Sequence, residues 1–231
     1  MAKQDALALR KVQEETVNLV LSRINDFQKD GQLTLPKDYA PENALKSAWF
    51  VLQETKDKQG NFALDKCSNE SVVNALFEMV VKGLNPMKKQ CAFIMYYDKL
   101  NMVMEYHGTI ALAKRYGGIS KTPAANVVYE GDEFEYTFNT NTGVIEILKH
   151  ETQLENIDIT KIRGAYAVLT LDDDSKHIEV MSIAQIRKAW DQGAMKGNSP
   201  AHKNFTDQMC KKTVISRACK LFISSSDVSF S

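Results

Sequence analysis

Apolar residues recur at helical spacing through the first 28 positions. Leu7, Val12, Leu19, Ile24 and Phe27 stand amid charged neighbours, which predicts an amphipathic helix over residues 2–28. Gly31 and Pro36 then mark a loop. Pro41 sits where a first helical turn tolerates it and opens a second helix to about Lys58, with Leu45, Trp49 and Leu52 on one stripe. Gly60-Asn61 breaks that helix. A third begins with Ser68 or Asn69 as cap and stops at Gly83, which can take the positive-φ position after a helix.

Beyond Asn85-Pro86 the period changes from helical to alternating. Cys91 to Tyr97 reads as a buried strand, Asp98-Lys99 as a turn, and residues 100, 102, 104 and 106 alternate apolar with polar, giving a hairpin. Residues 107–116 return to helical spacing and end at Gly117-Gly118. Strands are predicted near 125–130, 134–138, 144–149, 162–171 and 176–181, with turns at Asn141-Thr142-Gly143 and Asp172 to Ser175. Ser182 caps a helix to about Trp190, a Gly/Ser/Pro loop spans 193–200, and a last helix covers 204–222. Helices flanking a run of strands define an α+β fold with a central antiparallel sheet. The expected organisation is an N-terminal helical region (1–60), a core (61–225) and a short tail (226–231). The N-terminal helix has an apolar stripe to bury, either on its own domain or on a neighbouring subunit.

Composition is that of a globular protein, with 44% hydrophobic and 25% charged residues. No apolar run approaches a membrane span, and residues 1–5 do not open a signal peptide, so a cytoplasmic protein with no membrane partner is expected. The four cysteines (67, 91, 210 and 219) form no C-x-x-C pair and lack histidines at zinc spacing, so they read as small buried apolar residues. His107, His150, His177 and His202 are scattered and read as surface or hydrogen-bonding residues.

Charge changes the picture more. Twenty-nine basic residues cancel twenty-nine acidic ones, yet they are segregated. From Ser182 to Phe222 there are eight basic residues and two acids, whereas from Tyr129 to Asp158 eight acids face only Lys149. Local field, not total charge, decides what a surface attracts. On the last helix, Lys212, Thr213, Ser216, Arg217 and Lys220 share one face, with Cys210, Val214, Ile215, Ala218, Leu221 and Phe222 on the other. Cations and hydroxyls on one stripe suit a row of phosphates, although a solvated face has the same pattern. Lys211 lies nearer the apolar side. Lys114-Arg115, with Lys121 nearby, follows a hairpin rich in aromatics. Tyr96 and Tyr97 are candidates to stack on unpaired bases, while Phe93 reads as core.

Other chemistry is thin. There is no phosphate-binding G-x-x-x-x-G-K-[ST] loop, no Ser/His/Asp or Cys/His arrangement, and Asp172-Asp173-Asp174 reads as a turn before it reads as a metal site. A metal-dependent nuclease using those aspartates is one rival reading. A nucleic-acid-binding module without annealing activity is another, and a structural assembly protein that polymerises without nucleic acid is a third.

The order of motifs adds a resemblance. Gly83-Leu84-Asn85-Pro86, then Gln90 to Ile94, Glu105-Tyr106-His107-Gly108, Ala113 to Gly117, Val127 to Phe134, and finally Met209-Cys210-Lys211-Lys212-Thr213-Val214-Ile215-Ser216-Arg217 resemble, in sequence order, the signature of RecT-type single-strand annealing recombinases. The resemblance covers roughly residues 70–225. It implies a core related to the Red-beta annealing proteins, assembling as a homo-oligomeric ring or helical filament in a phage-infected or prophage-carrying bacterium. It also implies ATP-independent binding of single-stranded DNA and of an annealed duplex intermediate, without bond cleavage. Lys114, Arg115, Lys211, Lys212 and Arg217 become the leading DNA contacts, with Lys121 and Lys220 following from charge and position. No cofactor is required, and magnesium is a candidate modulator of DNA binding. A companion exonuclease and a host single-strand-binding protein are implied partners. Family members usually continue into an acidic tail, and the end of this sequence departs from that pattern.

Overall fold

The structure is a computed structural model that describes residues 2–193 and 195–225, with side chains from Arg10 onward. Leu7 and the 226–231 tail therefore lie outside the described side chains and residues. The fold is α+β with antiparallel sheets, and the chain divides into two compact units at Gly108/Thr109.

The first unit is mainly helical. α1 (Ala2–Lys29) packs on α4 (Asn69–Val81) through its C-terminal half. Val20 and Ile24 are buried there, and Phe27 meets Phe77 with ring centroids 5.6 Å apart. Arg23 lies over the same Phe77 ring and donates to Asn74 at 2.9 Å. Val12 and Leu19, expected on the buried stripe, are exposed, because the packed face runs through 20, 24 and 27.

α2 (Pro41–Glu54) buries Ala44, Leu45, Ala48, Trp49 and Leu52. It stops four residues before the expected Lys58 because Asp57 organises a turn. Its carboxylate accepts the backbone N–H groups of Gln59 and Asn61 and an ammonium proton of Lys66. The Asn61 amide and then Lys66 hold that carboxyl far below the usual range. A single turn, α3 (Ala63–Lys66), follows, and the Ser68 hydroxyl caps α4 by accepting from Ser71 N–H. Gly83 takes φ +60° just after α4.

β1 (Cys91–Tyr96) and β2 (Lys99–Met104) form the expected hairpin, with Tyr96 opposite Lys99. The two-residue turn is therefore Tyr97-Asp98. Phe93 is buried, as expected. α5 (Tyr106–Tyr116) starts hard against this hairpin, and a Cβ on Gly108 would lie 2.1 Å from the Gln90 carbonyl oxygen. Only glycine permits that approach.

In the second unit the strands fall into two sheets. β3 (Ala124–Tyr129), β6 (Ile162–Thr170) and β7 (Lys176–Ser182) make a three-stranded sheet with β6 in the middle. β4 (Glu133–Phe138) and β5 (Ile145–Glu151) make a separate hairpin. Counting β1–β2, the expected antiparallel strands are thus shared among three sheets.

The Ser182 hydroxyl and Gln185 close a reciprocal cap on α6 (Ile183–Trp190). The loop and last helix expected from the sequence contain an extra short helix, α7 (Pro200–Asn204). The chain breaks at Phe205 before α8 (Thr206–Ser224). α8 lies across the three-stranded sheet and buries Cys210, Val214, Ile215, Ala218 and Cys219. Small side chains beneath it, Ala165 and Ala167 on β6, let the helix approach closely.

Candidate nucleic-acid interface

α8 is positioned by its apolar face, and its polar face follows from that. Lys212, Arg217 and Lys220 are exposed, while Lys211, Thr213 and Ser216 are half-buried. Leu221, expected on the buried face, is exposed in the last turn, and Cys219 takes its place in the core. Lys211, half-buried beside the apolar face, fits its expected position.

Arg217 and Thr213 are engaged inside the fold. The Arg217 Nε donates to Glu179 Oε1 of β7 at 2.9 Å. The Thr213 hydroxyl donates to the Met209 carbonyl at 2.8 Å and accepts from Trp190 Nε1 at 2.7 Å. Thr213 therefore ties α6 to α8, its hydroxyl proton directed to Met209 and one lone pair to Trp190.

The end of α5 reaches α8 through a glycine. A Cβ on Gly117 would lie 2.9 Å from Phe222 Cβ, so these backbones can meet only because residue 117 has no side chain. Lys114 and Arg115 stand one turn before that contact, and Lys220 and Arg217 one to two turns before its partner Phe222. Lys114 is exposed, and Arg115 is half-buried with its guanidinium 5.7 Å from the Tyr116 ring centre.

Gly118 and Ser120 then bond to the end of the β6–β7 hairpin: Gly118 O accepts from Asp172 N–H, and Ser120 N–H donates to the Thr170 carbonyl. This places Lys121 near the 172–174 turn, 3.9 Å from Asp174. His177 meets the Phe222 ring at 5.0 Å, and burial pushes its pKa down. The C-terminal ends of α5 and α8 thus bring Lys114, Arg115, Arg217 and Lys220 to one end of the unit.

Tyr96 and Tyr97 belong to the first unit and reach solvent at the β1–β2 turn. Tyr97 is 91% exposed and holds φ +59°, a left-handed conformation that costs an L-residue about 1–2 kcal/mol. A two-residue hairpin turn asks its first central residue for this positive φ, and the tyrosine ring stands out into solvent there.

The aspartate triplet is a turn. Asp173 accepts from both the N–H and the hydroxyl of Ser175, and the hydroxyl first, then the N–H, lower its pKa. Among the described residues, no group of three His, Cys, Asp or Glu is arranged to hold a metal ion. The four cysteines are free and buried. Burial pushes Cys210 and Cys219 up to about 11 and Cys91 up to about 12, so these thiols stay protonated and inert at neutral pH. No helix among the described residues is long and apolar enough to cross a membrane.

Sequence reasoning missed Glu179 and a buried network around Asp132. Asp132 accepts from Tyr129 N–H at 2.7 Å and Asn156 Nδ2 at 3.2 Å, and lies 3.3 Å from His150 Nε2. His150 Nδ1 is 3.0 Å from the Tyr166 hydroxyl. The network fastens the root of the β4–β5 hairpin to β6. The run Glu130-Gly131-Asp132-Glu133 gave no cue to which acid points inward.

An α+β chain with a cationic helix end and an exposed aromatic hairpin tip has the makings of a protein that handles nucleic-acid strands. The chain belongs to the RecT family, whose model matches residues 42–229. It is 30% identical to Protein RecT of Escherichia coli (strain K12) over 213 residues, covering 87% of this chain and 74% of that protein. Membership of this family makes it a DNA recombination and single-strand annealing protein.

Proposed function

We propose that the chain binds single-stranded DNA along the cationic surface where the ends of α5 and α8 meet, and anneals complementary strands as a homo-oligomer without ATP. The observation that carries this reading is the Gly117–Phe222 contact, which draws the Lys114-Arg115 pair and the Arg217/Lys220 pair to one end of the unit. Lys121, Lys211 and Lys212 extend the basic surface, and Ser216 adds a hydroxyl. Tyr96 and Tyr97 of the first unit are, by themselves, proposed as stacking surfaces for unpaired bases.

Annealing makes and breaks no covalent bond, so it asks for positioning rather than catalysis. Cations that hold backbones leave base edges open, and base pairing then selects the partner strand. The same charges screen two phosphate chains as they converge into a duplex intermediate. No cofactor enters these steps, and magnesium acts only by competing for phosphates. Kinship extends the proposal to a companion exonuclease and a host single-strand-binding protein as partners.

Fluorescence anisotropy with a labelled oligo-dT, titrated across salt concentrations, tests the binding step. Log affinity should fall steeply with log salt, by about 0.7 per phosphate contact. Lys114→Ala/Lys220→Ala should flatten that slope by about 0.7 for each cation removed. An unchanged slope would move the DNA path away from this surface.

A further inference from the structure

His177 of β7 is a titratable side chain set beneath the end of α8. Alternation along β7 turns His177, Glu179 and Met181 to the face that this helix covers. There His177 meets the Phe222 ring at a steep angle, with centroids 5.0 Å apart, and Glu179 pairs with Arg217. Across the ladder, β6 sets the buried Leu169 opposite His177. The Nε2 atom of His177 is itself buried and has no hydrogen-bond partner among the described residues. Folded proteins leave few buried polar atoms in that condition, and each one asks for a reason. Burial pushes the imidazole pKa down, and the Glu179 carboxylate pulls it back up only in part.

The surroundings dictate what a proton does there. A neutral imidazole fills the space beside Phe222 as a ring among apolar neighbours. An imidazolium carries an N–H on both nitrogens, and a charged donor in a covered position needs an acceptor. Glu179 is the near carboxylate, two residues along the same face, but Arg217 already holds it at 2.9 Å. The other charged groups on the elements that pack here offer no acceptor. Lys176 of β7, Lys220 of α8, and Lys114 and Arg115 of α5 are cations, and the Cys219 thiol stays protonated. Asp172 stands in the exposed turn beyond the ends of β6 and β7. An imidazolium at 177 and the guanidinium of Arg217 therefore compete for one carboxylate.

We propose that His177 couples single-strand binding to proton uptake: on taking a proton it turns from Phe222 to Glu179, and Arg217 is released to the phosphates. This rests on the α5 and α8 surface proposed above for DNA and names its regulation. Phosphates arriving beside Arg217 and Lys220 bring negative charge near the imidazole, which favours its charged form. Linkage makes the effect reciprocal: DNA raises the proton affinity of His177, and acid raises the affinity for DNA. For the fold without DNA, acid acts the other way. The unfolded chain takes this proton at the ordinary histidine value, and the folded chain takes it only at lower pH. The stability tied to His177 is therefore whole above the ordinary value and is lost as pH falls from there through the folded one.

The experiment is an anisotropy titration of the full chain with labelled oligo-dT between about pH 8 and about pH 6, at fixed ionic strength. His177→Gln and His177→Phe cannot titrate, the second keeping a ring against Phe222, and circular dichroism checks that both are folded. From the upper to the lower pH, wild-type affinity should rise by roughly three- to tenfold more than that of either variant. One proton supplies at most about tenfold per pH unit. Calorimetry in two buffers of unlike ionisation enthalpy should show wild type taking up protons on binding that the variants do not. Glu179→Gln leaves no carboxylate to compete for, so it should bind at the upper pH about as tightly as wild type binds at the lower one. Histidine variants that keep the wild-type pH response and proton uptake, or a Glu179→Gln that keeps the full response, would overturn the coupling and leave the DNA surface standing. A wild type that fails to bind oligo-dT across this range would overturn both.

Discussion

Arg217 of α8 and Glu179 of β7 form an ion pair, Nε to Oε1 at 2.9 Å, with Arg217 half-exposed and Glu179 largely covered. One of the cations proposed to meet DNA is therefore held in place, and partly neutralised, by a carboxylate of the sheet beneath it.

The first prediction follows from that pair. Glu179→Gln removes the competing charge and frees Arg217 for phosphate. Single-strand affinity should rise by roughly three- to tenfold, equivalent to about 1 kcal/mol. The change should shrink as salt is raised. Anisotropy titrations at two ionic strengths read this directly, and a fall in affinity would show that Glu179 orients Arg217 for DNA rather than competing with it.

Thr213 lies on the same helix and behaves differently. Its hydroxyl links Met209 and Trp190, so Thr213→Val should lower stability by about 1 kcal/mol through the lost Trp190 bond. Oligo-dT affinity should stay within twofold of wild type. Thermal melts and one binding curve separate the two effects; a loss of affinity without loss of stability would return Thr213 to the DNA contacts.

Tyr97 couples strain to contact. Replacing it with glycine relieves the φ +59° conformation and should stabilise the protein by about 1 kcal/mol. The same change removes a stacking ring, worth about 1–3 kcal/mol per base, so DNA binding should weaken. Stability up and affinity down is the signature of strain kept for function. If affinity is unaltered, the ring has another purpose.

Asp132 gives the fold an acid limb. Burial alone would raise its pKa, but bonds from the Tyr129 backbone, His150, Asn156 and Thr152 outweigh burial and hold the carboxyl below its usual range. A carboxyl with a lowered folded pKa adds stability that is complete above the ordinary carboxylate range and is lost as pH falls through the folded value. Asp132→Asn should therefore cost about 1–3 kcal/mol at neutral pH and flatten the decline of melting temperature below about pH 5. The flattening is partial, since Asp57 and Asp173 are lowered as well. An unchanged acid limb would place the pH dependence elsewhere.

The elements themselves were legible because each has a clean period or a clean stop. Ser182 announces the start of α6, and alternation at 100, 102 and 104 announces β2. What sequence could not give was which part of a pattern packs. The α1 pattern runs through Val12 and Leu19, and the half carrying Val20 and Ile24 packs on α4. Helical angle alone puts Leu221 inside, whereas Cys219 is the residue the fold buries. The cationic face of α8 could be read from spacing. The Arg217–Glu179 pair and the Trp190–Thr213 bond depend on what the helix rests against, and no local pattern encodes that.

The central claim is that the α5 and α8 cations hold strands for pairing. Its most direct test is fluorescence-monitored annealing of two complementary oligonucleotides without ATP, comparing wild type with Lys114→Ala/Lys220→Ala, two exposed positions outside the core. The account predicts that wild type accelerates pairing and that the double variant, folded and equally stable, loses most of that acceleration. Acceleration equal to wild type in the double variant would contradict the assigned surface, and a wild type that does not accelerate pairing at low salt would contradict the proposed function itself.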